Sequence, residues 1–260
     1  MPGLHSALAG MPGIRLDDLV DRAALQTRVD RKYLATVPVL HAVLNEMAGS
    51  TAALDIGGRR SFDYSSVYFD TADLLCFREH RQGRRRRFKV RTRSYLNSGD
   101  CLLEVKAVGP RDQTIKRRMN YRTQDAARLT DQGRGFAADT LDHHPAVPAL
   151  RPTASTDYHR TTLLDRRHES RVTIDLGLCF SGPGASIAAP PDLVVIETKS
   201  PGPPGSADLA LRRLGVRPLS VSKYCIAIAL LYPGLPANRW HRVLHRHFGA
   251  GPERCPSSAR

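Results

Sequence analysis

The stretch RRRRFKVRTR, Arg84 to Arg93, carries a cation at every second position from Arg85 onward. On an extended chain side chains alternate between two faces, so Arg85, Arg87, Lys89, Arg91 and Arg93 share one face, and Arg84, Arg86, Phe88, Val90 and Thr92 the other. One face is then wholly basic. An ordinary half-buried strand turns its apolar set inward and its polar set to water, which would make these cations a solvated exterior over a core containing Phe88 and Val90. The other strands decide between that reading and a functional one.

Seven more segments read as strands: TRVDRKYLAT, SSVYFDT, CLLEVKAV, TIKRRMNY, DYHRTTLLD, RVTIDLGLCF and LVVIETKS, separated by turn clusters such as Asn97 to Asp100 and Ser181 to Gly184. Their parity repeats the opening pattern. Leu102, Glu104 and Lys106 oppose Cys101, Leu103 and Val105; Arg171, Thr173 and Asp175 oppose Val172, Ile174 and Leu176. Glu197 and Lys199 share a face with Val195, Arg28 and Asp30 with Lys32, and Arg160 with Tyr158 and Thr162. Two architectures use such strands. A sandwich buries the apolar faces together and leaves the charges in solvent, the more ordinary outcome on composition alone. A closed barrel turns the charges inward, where carboxylates and cations neutralise one another or hold a ligand. The excess of cations makes that ligand an anion.

Helical patterns flank the strands. Leu16 to Leu25 has helical spacing with acids in its first turn, and VPVLHAVLNEMAG predicts a second helix from Pro38 to Gly49. Gln124 to Leu150 is a weakly patterned helix or loop, and a closing helix leads to a basic tail. The expected organisation is an N-terminal helix and arm over 1–27, a strand-rich domain over 28–235 and a basic tail over 236–260.

The chain has 260 residues, enough for one large domain or two small ones, and a formal charge of +14 from 39 Lys and Arg against 25 Asp and Glu. That excess points to a polyanionic partner. The five cysteines, Cys76, Cys101, Cys179, Cys225 and Cys255, are odd in number and lack CxxC spacing, so a disulfide framework or zinc site is not expected and a reducing cytoplasm is. No signal segment or membrane span is expected, since the longest apolar run, CIAIALLYPGLPA, is short and broken by Pro233. His241 and His245 stand at i and i+4, but with no carboxylate ligand nearby they read as a basic exposed tail. Cys101 and Cys225 read as small buried residues, and Tyr33, Tyr68 and Tyr224 as wall or core aromatics.

Together RVDRKY, SVYFDTADLLCFREHRQGRRRRFKVRTR, LLEVKAV, YHRTT, RVTIDLGL, VVIETKS and SVSKY, in that order from Arg28 to about Leu231, resemble the polyphosphate polymerase domain of the vacuolar transporter chaperone (VTC) family, within the CYTH or triphosphate tunnel superfamily. The resemblance implies an α+β fold, an eight-stranded antiparallel β tunnel with flanking helices. It implies that basic residues inside the tunnel bind triphosphate or a growing polyphosphate chain and that an acidic residue holds Mn²⁺ or Mg²⁺. Carried over motif by motif, the catalytic positions are Lys32, Arg91, Arg93, Lys106, Arg160, Lys199 and Lys223. Lys89, Lys116, Arg171 and Ser222 join them in substrate binding, and Glu197 matches the metal carboxylate. Arg85 and Arg87 would stand at the tunnel mouth.

One departure separates the chain from the hydrolases of the superfamily. Those begin with ExExK, whereas the corresponding residues here are Arg28, Asp30 and Lys32, so the first acid is a cation. The implied activity is transfer of the γ-phosphate of ATP, or another nucleoside triphosphate, to a polyphosphate chain. The alternatives are a metal-dependent triphosphatase and a non-catalytic polyanion-binding tunnel protein. Nucleic acid is not an expected partner, because inward-facing cations cannot reach a duplex. The sensor domain and membrane segment of the eukaryotic VTC assemblies are not expected here.

Overall fold

The computed structural model describes residues 7–22, 29–109, 113–249 and 255. In chain order its elements are β1 (Gly13–Ile14), α1 (Leu16–Arg22), β2 (Val29–Thr36), α2 (Val37–Met47), β3 (Thr51–Leu54), β4 (Phe62–Asp70), α3 (Leu75–Gln82), β5 (Phe88–Tyr95), β6 (Asp100–Val108) and β7 (Thr114–Tyr121). They continue with α4 (Asp131–Thr140), β8 (Arg151–Asp165), β9 (Ser170–Gly182), β10 (Ala185–Ala188), β11 (Leu193–Ser200), α5 (Ser206–Arg213), α6 (Lys223–Leu231) and α7 (His241–Phe248). The fold is α+β, a large antiparallel sheet with flanking helices. Among the described residues the sheet has eleven strands, correcting the expected eight. Eight follow in the order β2-β11-β9-β8-β4-β5-β6-β7, and β1, β3 and β10 attach beside that path. The three additions are two to four residues long, and all four residues of β3 are buried, so alternation could not reveal it.

The chain divides into two compact units: Met1–Phe62, His159–Gly177 and Pro190–Ser220 in the first, and Asp63–Tyr158, Leu178–Ala189 and Val221–Arg260 in the second. In the first, Tyr33 and Ala35 of β2, Val172 and Ile174 of β9, and Val194 and Ile196 of β11 form one apolar face. It buries Leu40, Val43, Leu44 and Met47 of α2, spaced i, i+3, i+4, i+7, together with Ala207, Ala210 and Leu211 of α5. Each large side chain buried there contributes roughly 1.5–3 kcal/mol of transfer free energy. Pro38 fits the first turn of α2, where the missing N–H costs nothing. Asp208 ties α5 to the sheet, accepting from Tyr33 Oη at 2.7 Å, Thr198 Oγ1 at 2.6 Å and the Gly205 backbone N–H at 2.9 Å.

In the second unit the strict alternation of β5 is plain: Phe88, Val90, Thr92 and Ser94 are buried, and Lys89, Arg91, Arg93 and Tyr95 partly so. Cys101, Leu103 and Val105 of β6 are buried too. Gly133 lets α4 approach closely, since a Cβ there would stand 2.9 Å from Tyr121 Oη and 3.2 Å from Leu103 Cδ2.

Several expectations shift. The predicted first helix is present from Leu16 to Arg22, and the rest of its expected span, to Leu25, lies outside the described residues, as does Arg28. Arg84 to Arg87 are not in the strand: α3 ends at Gly83, whose φ of +68° suits glycine, and β5 begins only at Phe88. Cys179 and Cys255 form a disulfide, contrary to the expectation from the cysteine count. The partners are 76 positions apart, a separation that no spacing motif signals, and their pairing removes the support that the count lent to a reducing compartment. Cys76, Cys101 and Cys225 are free and buried. Among the described residues no helix is long and apolar enough to cross a membrane.

Candidate functional site

In the first unit, β11 lies between β2 and β9, and its register builds charged rows across the face opposite the apolar core. Lys32, Glu197 and Thr173 form one row, and Asp30, Lys199 and Arg171 the next. Lys199 Nζ donates to Asp30 Oδ2 at 2.6 Å and also to Glu197, and Lys32 Nζ lies 3.9 Å from Glu197 Oε1. Arg160 of β8 holds the fully buried Asp175 through two bonds of 2.6 and 2.8 Å. Burial alone would raise the Glu197 carboxyl, but Lys32, Lys199 and Arg160 outweigh it and hold it well below the usual carboxylate range. It is ionised at neutral pH. The buried Thr173 hydroxyl, in the same row as Glu197, has no hydrogen-bond partner among the described residues.

Glu197 and Asp30 are two carboxylates linked by one ammonium, and such oxygen donors fit a hard divalent cation that completes its shell with phosphate oxygens and water. Among the described residues no group of three or more His, Cys, Asp or Glu gathers into an all-protein metal cage. His241 and His245 stack in α7 with ring centroids 6.4 Å apart.

The second unit is far more basic. Across β5, β6 and β7 the register sets Lys89, Lys106 and Lys116 directly opposite one another, and the next rung is Arg91, Glu104 and Arg118. Glu104 is 3% exposed and is the only carboxylate of these two rungs. Arg91 reaches its Oε2 at 2.6 Å, Lys116 its Oε1 at 2.5 Å, and Arg93 lies at 3.8 Å. Burial would raise this carboxyl as well, yet Arg91, Arg93 and Lys116 prevail and keep it well below its ordinary value.

Aromatic rings back the cations. Arg91 lies over Tyr68 at 5.8 Å and donates to its hydroxyl at 3.1 Å, while Arg93 lies over Tyr64 at 5.7 Å. Tyr64 stacks on Tyr158, and Lys223 Nζ sits 4.6 Å from the Tyr158 ring centroid. Lys223 opens α6, whose first turn is fixed by two bonds: Ser222 Oγ accepts from the Cys225 N–H at 3.1 Å, and the Tyr224 hydroxyl donates to Asp70. Asp70 is fully buried and also accepts from the N–H groups of Thr71, Cys76 and Phe77, so one carboxylate anchors both α3 and α6. Ser66, opposite Arg93 and 1% exposed, has no partner for its hydroxyl among the described residues.

The sequence-derived residues therefore fall into two groups. Lys32, Arg160, Arg171, Glu197 and Lys199 gather in the first unit. Lys89, Arg91, Arg93, Lys106, Lys116 and Lys223 gather in the second, with the Ser222 hydroxyl committed as acceptor to the helix cap. Sequence reading passed over Glu104, Arg118, Asp30 and Asp175 as site residues. Strand parity carried the signal for all four, and for Glu104 most plainly, since it stands two residues before Lys106.

Among solved structures the chain is similar to HpAC1 from Hippeastrum, an adenylyl cyclase candidate described as having a dominant triphosphatase activity. Identity is 11% and the TM-score 0.48, over 82% of this chain and 100% of that one. It is also similar to the PH1012 protein from Pyrococcus horikoshii OT3, at 10% identity and a TM-score of 0.37, and to a conserved hypothetical protein from Pyrococcus furiosus, at 12% and 0.38. Each of these comparisons covers 74% of this chain and 92% of the other. No curated protein matches significantly. The model of the VTC domain family matches residues 27–232, most of the chain and every strand from β2 to β11, and the chain belongs to that family.

Proposed function

We propose that this protein transfers the γ-phosphoryl group of ATP, or of another nucleoside triphosphate, to the end of a polyphosphate chain held in a basic tunnel. The observation that carries the reading is the lysine rung Lys89–Lys106–Lys116. The rung sets three ammonium groups in a row, of which Lys116 pairs with Glu104, and the next rung adds Arg91 and Arg118 against that one carboxylate, a local excess of positive charge that suits a polyanion. Family membership supports the same substrate class.

In-line phosphoryl transfer asks little covalent chemistry of a protein and depends on position and charge. A terminal oxygen of the acceptor chain attacks the γ-phosphorus, the β–γ bridging P–O bond breaks, and its electron pair leaves on the nucleoside diphosphate. Arg91 and Arg93, fixed by Glu104 and their tyrosines, offer forked donors to equatorial oxygens, while Lys89, Lys106 and Lys223 act as point charges. In the first unit Lys32, Arg160 and Lys199 take the same role beside Glu197. Glu197 and Asp30 would hold Mn²⁺ or Mg²⁺, which supplies further neutralisation of phosphate charge.

Glu197→Gln keeps the side-chain volume and removes the charge. The reading expects the parent to release nucleoside diphosphate from ATP with Mn²⁺ present, and the variant to lose that turnover while still binding triphosphate. Equal turnover in the two proteins contradicts it.

A further inference from the structure

The four arginines before β5 are set on a fixed turn. Gly83 closes α3 in the left-handed conformation, the Arg84 N–H bonds Glu79 O at 2.9 Å, and Arg87 Nη1 donates to Arg84 O at 2.7 Å. The Val108 N–H then bonds Arg87 O at 3.1 Å, hooking the turn to the end of β6. Arg84, Arg85 and Arg86 are exposed on this base. A fifth guanidinium joins them from another segment: Arg239 Nη1 donates to His80 O at 2.9 Å and stands 3.4 Å from where a Cβ on Gly83 would lie.

The turn runs directly into the basic stripe. Arg87 precedes Lys89 by two residues, and at about 3.3 Å per residue the row Lys89, Arg91, Arg93 continues from it for about 13 Å. His80, whose carbonyl accepts from Arg239, is held neutral by burial first and then by Lys89, Arg87 and Lys106.

We infer that the Arg84–Arg87 turn, with Arg239, is a second binding segment that grips the part of a phosphate chain extending beyond the β5 stripe, so that the protein discriminates long polyphosphate from triphosphate. This rests on the stripe being a phosphate site. A thin, flexible, singly stranded polyanion can follow a single row of cations from an exposed turn onto a strand, whereas a nucleic-acid duplex requires a broad exposed patch or an element set in its groove.

The test compares binding of inorganic triphosphate and of size-fractionated long-chain polyphosphate by the parent, by R85A/R86A and by R91A/R93A, across a range of salt. Arg85 and Arg86 lie outside β5, so R85A/R86A leaves Arg91, Arg93 and their contacts with Glu104 in place. It is expected to bind triphosphate within twofold of the parent and long chains on the order of tenfold more weakly. Its log–log salt slope for long chains should fall by roughly 1.4, the counterion release of two contacts to a single strand. Long-chain binding unchanged in R85A/R86A while R91A/R93A loses both ligands overturns the inference and leaves the stripe reading intact. Equal weakening of triphosphate in R85A/R86A also overturns it, as does single-stranded RNA competing as well as polyphosphate of matched charge. A parent that binds neither phosphate ligand overturns the inference and the stripe reading together.

Discussion

Glu104→Gln separates a carboxylate that competes with phosphate from one that merely stabilises the fold. In the resting protein Glu104 pairs with Arg91, Arg93 and Lys116 from a position 3% exposed. Removing one partner of a fully buried ion pair costs about 3–5 kcal/mol. The Lys116 side chain is 41% exposed and Arg91 23%, so water can take up part of the released charge, and glutamine keeps one acceptor. A cost of about 2 kcal/mol follows, which lowers the melting temperature by roughly 4–8 °C in a chain of this size. The sign with pH is fixed: a carboxyl held below its ordinary value stabilises the fold above about pH 4.3 and loses that contribution as pH falls through its folded-state value. The three freed cations should take phosphate better. Triphosphate affinity is expected to rise about tenfold, some 1.4 kcal/mol, so saturating triphosphate should recover most of the lost stability. Thermal unfolding with and without triphosphate, paired with calorimetric titration, reads both quantities. A variant with parental stability would remove Glu104 from the stabilising network, and one that binds triphosphate more weakly would make Glu104 a ligand-holding group.

His80 gives a pH test independent of ligand. Its Nδ1 donates to Cys76 O at 2.8 Å, and burial, then Lys89, Arg87 and Lys106, hold its pKa down to about 3. Because the unfolded chain binds a proton near pH 6.5 and the folded chain does not, stability should fall by about 2 kcal/mol between pH 8 and pH 5 from this residue. Denaturant titrations of parent and His80→Gln at the two pH values should show that part of the slope vanish in the variant; an unchanged slope contradicts the assignment. Arg91→Ala with Arg93→Ala should weaken triphosphate binding by at least a hundredfold, and Arg242→Ala with Arg246→Ala in the basic α7 should not. Greater loss from the α7 changes, or stronger competition by duplex DNA than by triphosphate, would move the binding surface to the tail. Tyr224→Phe removes one buried bond to Asp70 and should lower stability by about 1 kcal/mol with a larger fractional loss of triphosphate affinity than a remote change of equal destabilisation, because it loosens the first turn carrying Lys223. Equal losses would make Tyr224 purely structural.

Much of this arrangement was legible because a strand has a period of two. Lys89, Arg91 and Arg93 opposite Phe88, Val90 and Thr92, and Glu197 with Lys199 opposite Thr198, required nothing beyond parity, and the backbone keeps them there. Parity also misled where the chain was not extended, extending the stripe to Arg85 and Arg87 although Gly83 ends a helix immediately before them. The short helices α3 and α5 escaped notice because eight residues give barely two turns, and both are held by buried carboxylates, Asp70 and Asp208, lying outside or at the edge of the helix. Register was invisible too. That Lys89, Lys106 and Lys116 form a single rung depends on loop lengths between three strands, and that Asp175 belongs to Arg160 depends on the pairing of β8 with β9. The Cys179–Cys255 link joins positions 76 apart, a separation that no local pattern encodes.

The proposed activity is transfer of phosphate to a phosphate chain. Purified protein incubated with γ-labelled ATP and Mn²⁺, its products resolved by length on a gel, measures this directly. The expected result is label accumulating in phosphate chains that lengthen with time, in step with nucleoside diphosphate release. Label recovered only as orthophosphate, or remaining wholly in ATP, would contradict it.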